Sequence, residues 1–151
     1  MLTLEYIIPD REFSKLRSLS PAALDEGGLR YDYCWGEISL VCIASVKASL
    51  SFDVPVLDFG LALAYLLNDI VSVPHQELDF TESDGRIIFD ATGPTIRVSS
   101  NFSGWTCTTT IDELRNVASS FIDRLKLDLS REVPEHTPFI FSEFARFGFT
   151  E

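Results

Sequence analysis

Apolar and polar positions change period several times along the chain, and each change marks an element. Ile111, Leu114, Val117, Ala118, Phe121, Ile122, Leu125 and Leu129 place one apolar stripe along about five turns of helix. Thr110 and Glu113 open that helix as a capping box, in which the threonine caps and the glutamate reaches back. Pro134 lies past its end. From Asp53 to about Ser72 the chain is apolar nearly all round, which predicts a central buried helix. Asp53 is its expected N-cap, Asp58 falls in or just beyond the first turn, and Pro74 stops it. The apolar stretch Val54–Val73 does not read as a membrane span. Asp58, Asn68 and Asp69 interrupt it, and its unbroken run, Leu61–Leu67, is far short of about 18 residues.

Alternation with period two marks the strands. Leu2–Ile8 is a short strand candidate. After Pro9, Asp10 is expected to cap a short helix that turns Phe13 and Leu16 inward. Ser20-Pro21 signals a second helix start, ended by Gly27-Gly28. Arg30–Ile43 is the longest strand candidate, with Tyr31, Tyr33 and Trp35 on one face and a bulge expected at Gly36. A turn near Ala44-Ser45 leads to Val46–Phe52, so the two runs predict an antiparallel hairpin. Four further strands are predicted at Glu77–Glu82, Arg86–Ala91, Thr95–Ser100 and Trp105–Thr109. Their links, with Ser83-Asp84-Gly85 the strongest turn signal, are too short for parallel crossovers, so neighbours must run antiparallel.

These elements predict an α+β fold: one antiparallel, meander-like sheet of six or seven strands, with two long helices packed side by side on one face. The chain has 151 residues, which predicts a single domain over 1–151. Its tail, from about 134 to 151, carries Phe139, Phe141, Phe144, Phe147 and Phe149, and is expected to dock on the body.

Charge narrows the partners. Twelve Lys and Arg stand against 23 Asp and Glu, a net charge of −11. That excludes nucleic-acid binding through phosphates and attraction to anionic membranes, and it suits a basic protein partner. The start of the chain has neither a basic segment nor a long apolar one, so no secretory signal is expected. The three cysteines, Cys34, Cys42 and Cys107, have no CxxC spacing. Cys34 and Cys42, eight apart on one strand, would lie about 26 Å from each other and could not bridge. Buried reduced thiols in a cytoplasmic protein are therefore expected.

The inventory for catalysis is thin. No nucleophile elbow, phosphate loop or dinucleotide fingerprint occurs. His75 and His136 lack metal-ligand spacing and read as solvent-facing loop residues. Cys34, beside Trp35, would need a nearby base and an electropositive, partly exposed setting to act as a nucleophile. Two carboxylate pairs could support acid–base chemistry or a hard metal: Asp53 with Asp58 at a helix start, and Asp79 with Asp90 across a hairpin. The first pair suits a helix dipole and the second a solvated strand. No catalytic residue, metal or cofactor is assigned.

The sheet face turned away from the helices is more informative. If Leu78, Ile87, Phe89, Ile96, Val98, Trp105 and Cys107 face the core, then Glu77, Asp79, Arg86, Asp90 and Arg97 share a flat outer face with threonines and serines. Tyr31, Tyr33, Trp35 and Glu37 extend it if their face is exposed, since aromatics beside charges anchor interfaces. These nine residues form the expected binding surface. An ordinary solvated face, with Arg86 and Arg97 paired to acidic neighbours, is the competing reading.

The whole layout rests on Tyr31-Asp32-Tyr33-Cys34-Trp35-Gly36-Glu37, on Pro55-Val56-Leu57-Asp58-Phe59, and then on the meander and final helix. It resembles small acidic bacterial domains of uncharacterised function, some associated with immunity proteins of toxin systems. Immunity proteins share no single motif, so no functional residue carries over. The resemblance implies a non-catalytic binding module that occludes a partner protein. The alternatives are a homo-oligomeric structural domain, a homodimer included, and a small-molecule-binding domain with a pocket between sheet and helices.

Overall fold

The computed structural model of the chain describes residues 1–44, 47–80 and 83–146. Its first sheet has the order β1 (Leu2–Ile7), β2 (Trp35–Ile43), β3 (Lys47–Pro55), antiparallel throughout. Leu4, Leu40 and Leu50 stand in one register row, so the alternation read from the sequence turns these leucines to one face. Between β1 and β2 lie α1 (Asp10–Arg17), a 3₁₀ turn at Pro21–Ala23, and α2 (Glu26–Tyr31). Phe13 and Leu16 point inward from α1. Pro9 rather than Asp10 takes the capping position, and Asp10 sits in the first turn.

β3 runs straight through Pro55 into α3 (Val56–Asp69), which is buried on almost every side. The second sheet follows as a meander in the order β4 (His75–Asp79), β5 (Arg86–Thr92), β6 (Thr95–Ser100), β7 (Thr106–Thr110). Next come α4 (Ile111–Glu132), a 3₁₀ turn at Pro134–His136, and α5 (Thr137–Ala145). α3 and α4 pack side by side, as expected, with Gly60 of α3 against the rings of Phe121 on α4 and Phe144 on α5. Phe144 is fully buried, and Phe139 and Phe141 pack on the same core. The other two phenylalanines of the tail, Phe147 and Phe149, lie outside the described residues.

The expected single sheet is corrected to two, of three and four strands, and the described residues hold five α-helices, with the two long ones, α3 and α4, among them. α3 stands between β3 and β4, so the chain changes sheets through a helix instead of a turn. An aromatic seam fills the junction: Phe52 stacks on Phe80 at 4.8 Å and meets Phe59 and Phe102 edge-on or tilted. The Trp105 indole N–H donates to the Ala48 carbonyl at 3.3 Å across the same seam. There Cys42 of β2 and Cys107 of β7 form a disulfide with their Cα atoms 5.6 Å apart. The expectation of three reduced thiols is therefore overturned for two of them. Spacing along one strand excluded Cys34 with Cys42, but the bonded partner comes from the other sheet.

Four local expectations also change. Gly27 and Gly28 lie inside α2, whose start is capped by the Asp25 carboxylate accepting from the Gly28 N–H at 2.7 Å. The strand begins at Trp35, not Arg30, because α2 holds Tyr31 and Cys34 adopts φ 59°, a left-handed turn that no strand continues. Gly36 makes no bulge. A Cβ there would lie 2.3 Å from the Ile7 carbonyl oxygen, so close approach of β1 demands glycine. Asp53, expected to cap the buried helix, belongs to β3 opposite Glu37.

Candidate functional site

Strand alternation builds the outer face of the second sheet. Leu78, Ile87, Phe89, Ile96, Val98, Trp105 and Cys107 are buried beneath it. Glu77, Asp79, Arg86, Asp90 and Arg97 then stand on the opposite side, as the sequence predicts. Register decides which of them touch. β4 pairs with β5 so that His75 faces Asp90 and Asp79 faces Arg86. Asp79 and Asp90 therefore do not face each other, and the expected carboxylate pair does not exist.

A continuous charged network results. The Asp90 carboxylate lies 2.5 Å from His75 Nδ1, and Glu77 lies 3.3 Å from His75 Nε2. Arg86 donates to the other Glu77 oxygen at 3.2 Å and reaches to 3.9 Å from Asp79. The Asp90 hydrogen bond, then that of Glu77, raises the imidazole pKa above its usual value. Arg97 stands opposite Asp90 in the register but donates to the Thr106 hydroxyl at 3.1 Å. Every member of the network is solvent-accessible, so the contacts fix geometry more than they add stability. His75 was expected in a loop. The signal for it was the i, i+2 run His75, Glu77, Asp79, which continues the strand by two residues.

No protein-family model, curated protein or solved structure matches this chain.

The aromatic group lies elsewhere. Trp35 and Glu37 belong to the first sheet, and Tyr31 ends α2. The three aromatics therefore do not alternate along one strand. The Trp35 indole N–H donates to the Tyr31 carbonyl at 2.9 Å, while Tyr33 is half-buried against the core. Glu37, opposite Asp53 and beside Ile7, lines a shallow groove of about 350 Å³ with Trp35, Pro9 and Arg11. Seven of the nine expected residues thus divide between two sheets, while Tyr31 ends α2 and Tyr33 lies between α2 and β2. Glu77, Asp79, Arg86, Asp90 and Arg97 form one face, and Trp35, Glu37 and Asp53 form another.

The remaining reactive groups are held in structural contacts. Burial, with a contribution from Glu12, pushes the Cys34 thiol up to about 12, which keeps it protonated and unreactive at neutral pH. His136, expected at the surface, is buried with Nε2 2.9 Å from the Leu19 carbonyl. Asp58 accepts from Arg30 at 2.7 Å, yet burial still lifts its carboxyl pKa above the ordinary range. The Tyr6 hydroxyl donates to Asp128, which Arg131 also holds at 3.0 Å, and the Arg124 guanidinium lies 4.7 Å from the Tyr6 ring centroid. Among the described residues no group of three or more His, Cys, Asp or Glu could hold a metal ion, and no helix is long and apolar enough to cross a membrane.

Proposed function

We propose that the protein is a non-catalytic binding module whose second sheet presents its charged outer face to a basic region of a partner protein. One observation carries this reading. Glu77, Asp79 and Asp90 are exposed together, beside Arg86 and Arg97, on a face whose geometry is set by strand pairing and backed by a packed core. A preset face loses little conformational freedom on binding. With a net charge of −11, long-range attraction would speed encounter with a basic partner. Occlusion of a toxin's active site, as in immunity-type inhibitors, is the specific form that the charge balance suits. The cytoplasmic setting expected from reduced cysteines loses that support, since two of the three are bonded.

The test is a measured association rate with the partner recovered from the native source. Asp90→Lys and Thr108→Lys reverse or add charge at exposed outer-face positions. Each should slow association by about tenfold, and the wild-type rate should fall as salt rises. A rate indifferent to both variants and to salt refutes the reading.

A further inference from the structure

We infer that the free edge of β4 accepts an extended, alternating apolar and basic segment of the partner as an added strand. This deepens the protein-binding reading and rests on it. The ladder between β4 and β5 fixes which main-chain groups are spent. The Ala91 N–H donates to the Pro74 carbonyl at 2.9 Å, and the Phe80 N–H donates to the Gly85 carbonyl at 3.0 Å. Residues of that parity, Gln76 and Leu78 included, therefore turn their main-chain groups toward β5. His75, Glu77 and Asp79 turn theirs the other way. Among the described residues no strand pairs beyond β4, so three consecutive docking positions face outward.

Beside that edge runs a groove of about 430 Å³ between β4 and α3. Leu61 and Leu66 of α3, both buried, form its floor with Ala62, and exposed Tyr65 stands at its side. An added strand turns alternate side chains to one face, so its apolar residues would meet this floor. The opposite side chains would meet carboxylates. Glu77 and Asp79 stand on that outer side at the border of the groove, and Asp79 is three-quarters exposed with only the 3.9 Å approach of Arg86. Of the charges at the groove, Arg30 is held by Asp58 at 2.7 Å and lies 4.0 Å from Glu26, Arg146 is held by Glu143 at 2.8 Å, and Glu77 is held by Arg86 at 3.2 Å, which leaves Asp79 the least compensated. That charge is negative, which selects lysine or arginine in the incoming segment. It also disfavours a second copy of this acidic chain, whose Glu77 would meet its own counterpart.

The test uses the whole ¹⁵N-labelled protein and a synthetic nonapeptide alternating valine and arginine. Two further peptides carry N-methyl groups on the valines or on the arginines, which blocks one hydrogen-bonding edge at a time. The parent peptide should protect the amides of His75, Glu77 and Asp79 from hydrogen exchange. One methylated peptide should bind like the parent and the other should lose at least about tenfold. Glu77→Pro removes an outward N–H without touching the ladder to β5, and should abolish binding. Glu77→Gln, which keeps that N–H and loses only the carboxylate, should weaken binding a few-fold without abolishing it. Equal binding by both methylated peptides, protection confined to other residues, or no binding at millimolar peptide overturns the inference. So does a concentration-dependent dimer that protects these amides without peptide. In each case the sensitivity of partner association to Asp90→Lys and Thr108→Lys still decides the broader reading separately.

Discussion

Breaking the Cys42–Cys107 bond should cost this protein a large share of its stability while leaving the native fold in place. The bond closes a loop with a sequence separation of 65 residues. In the chain-entropy model, a loop of that length restricts the unfolded chain by about 14 cal/mol/K, or about 4 kcal/mol at 25 °C. Whole domains are stable by only about 5–15 kcal/mol, so the effect should dominate a denaturation curve. Both sulfurs sit in the core, with Cys42 8% and Cys107 2% exposed. Reduced thiols would stay packed there as small apolar groups, so the loss falls on the unfolded state. The assay is guanidinium unfolding of the oxidised protein, the reduced protein and Cys42→Ala/Cys107→Ala. Reduction should lower the unfolding free energy by about 3–4 kcal/mol and steepen the transition, because the open chain exposes more surface. Intact mass should rise by the two hydrogens of one disulfide on reduction. Two free thiols under oxidising conditions, or a change below about 1 kcal/mol, would refute the reasoning.

Three contacts carry further expectations. Glu113 accepts from the Leu2 N–H at 2.9 Å and from the Thr109 hydroxyl, tying β1 and β7 to α4, so Glu113→Ala should destabilise by about 3 kcal/mol. These bonds, the Thr109 one foremost, hold its carboxyl below the ordinary glutamate range. The stabilisation is complete above the unfolded-state value and disappears as pH falls through the lowered one, so urea curves of wild type and variant should converge in acid. His75 behaves with the opposite sign. Its raised pKa means that the network's contribution is complete below the unfolded-state value and is lost as pH rises through the folded one, and an NMR titration should place its midpoint above that of a free histidine. Gly36→Ala should cost at least about 2 kcal/mol by thermal denaturation, because the added Cβ meets main-chain oxygen and not a movable side chain.

What the sequence determined about this protein was whatever depends on neighbours a few residues apart. The stripe from Ile111 to Leu129 specified α4, and the all-round apolar stretch specified buried α3, because helix faces repeat along the chain. Short turns forced the β4–β7 meander, and period-two alternation placed Glu77, Asp79, Arg86, Asp90 and Arg97 on its outer side. Thr110 caps α4 as its motif says, accepting from the Glu113 N–H at 3.0 Å. The other half of that capping box went elsewhere, since the Glu113 carboxylate found Leu2, 111 residues away. Cross-strand partners escaped in the same way. The turn sets the register, and this hairpin closes at Phe80 and Gly85, which is why Asp79 and Asp90 look paired in sequence and meet Arg86 and His75 in space. Tyr31 was lost to α2 because a single left-handed residue, Cys34, turns the chain where alternation alone runs on. Only the tertiary structure could divide the strands into two sheets, bring Cys42 to Cys107, and open a groove along the edge of β4. Each of these joins segments distant in sequence, and their approach is set by how helices and sheets fill a shared core rather than by any local pattern.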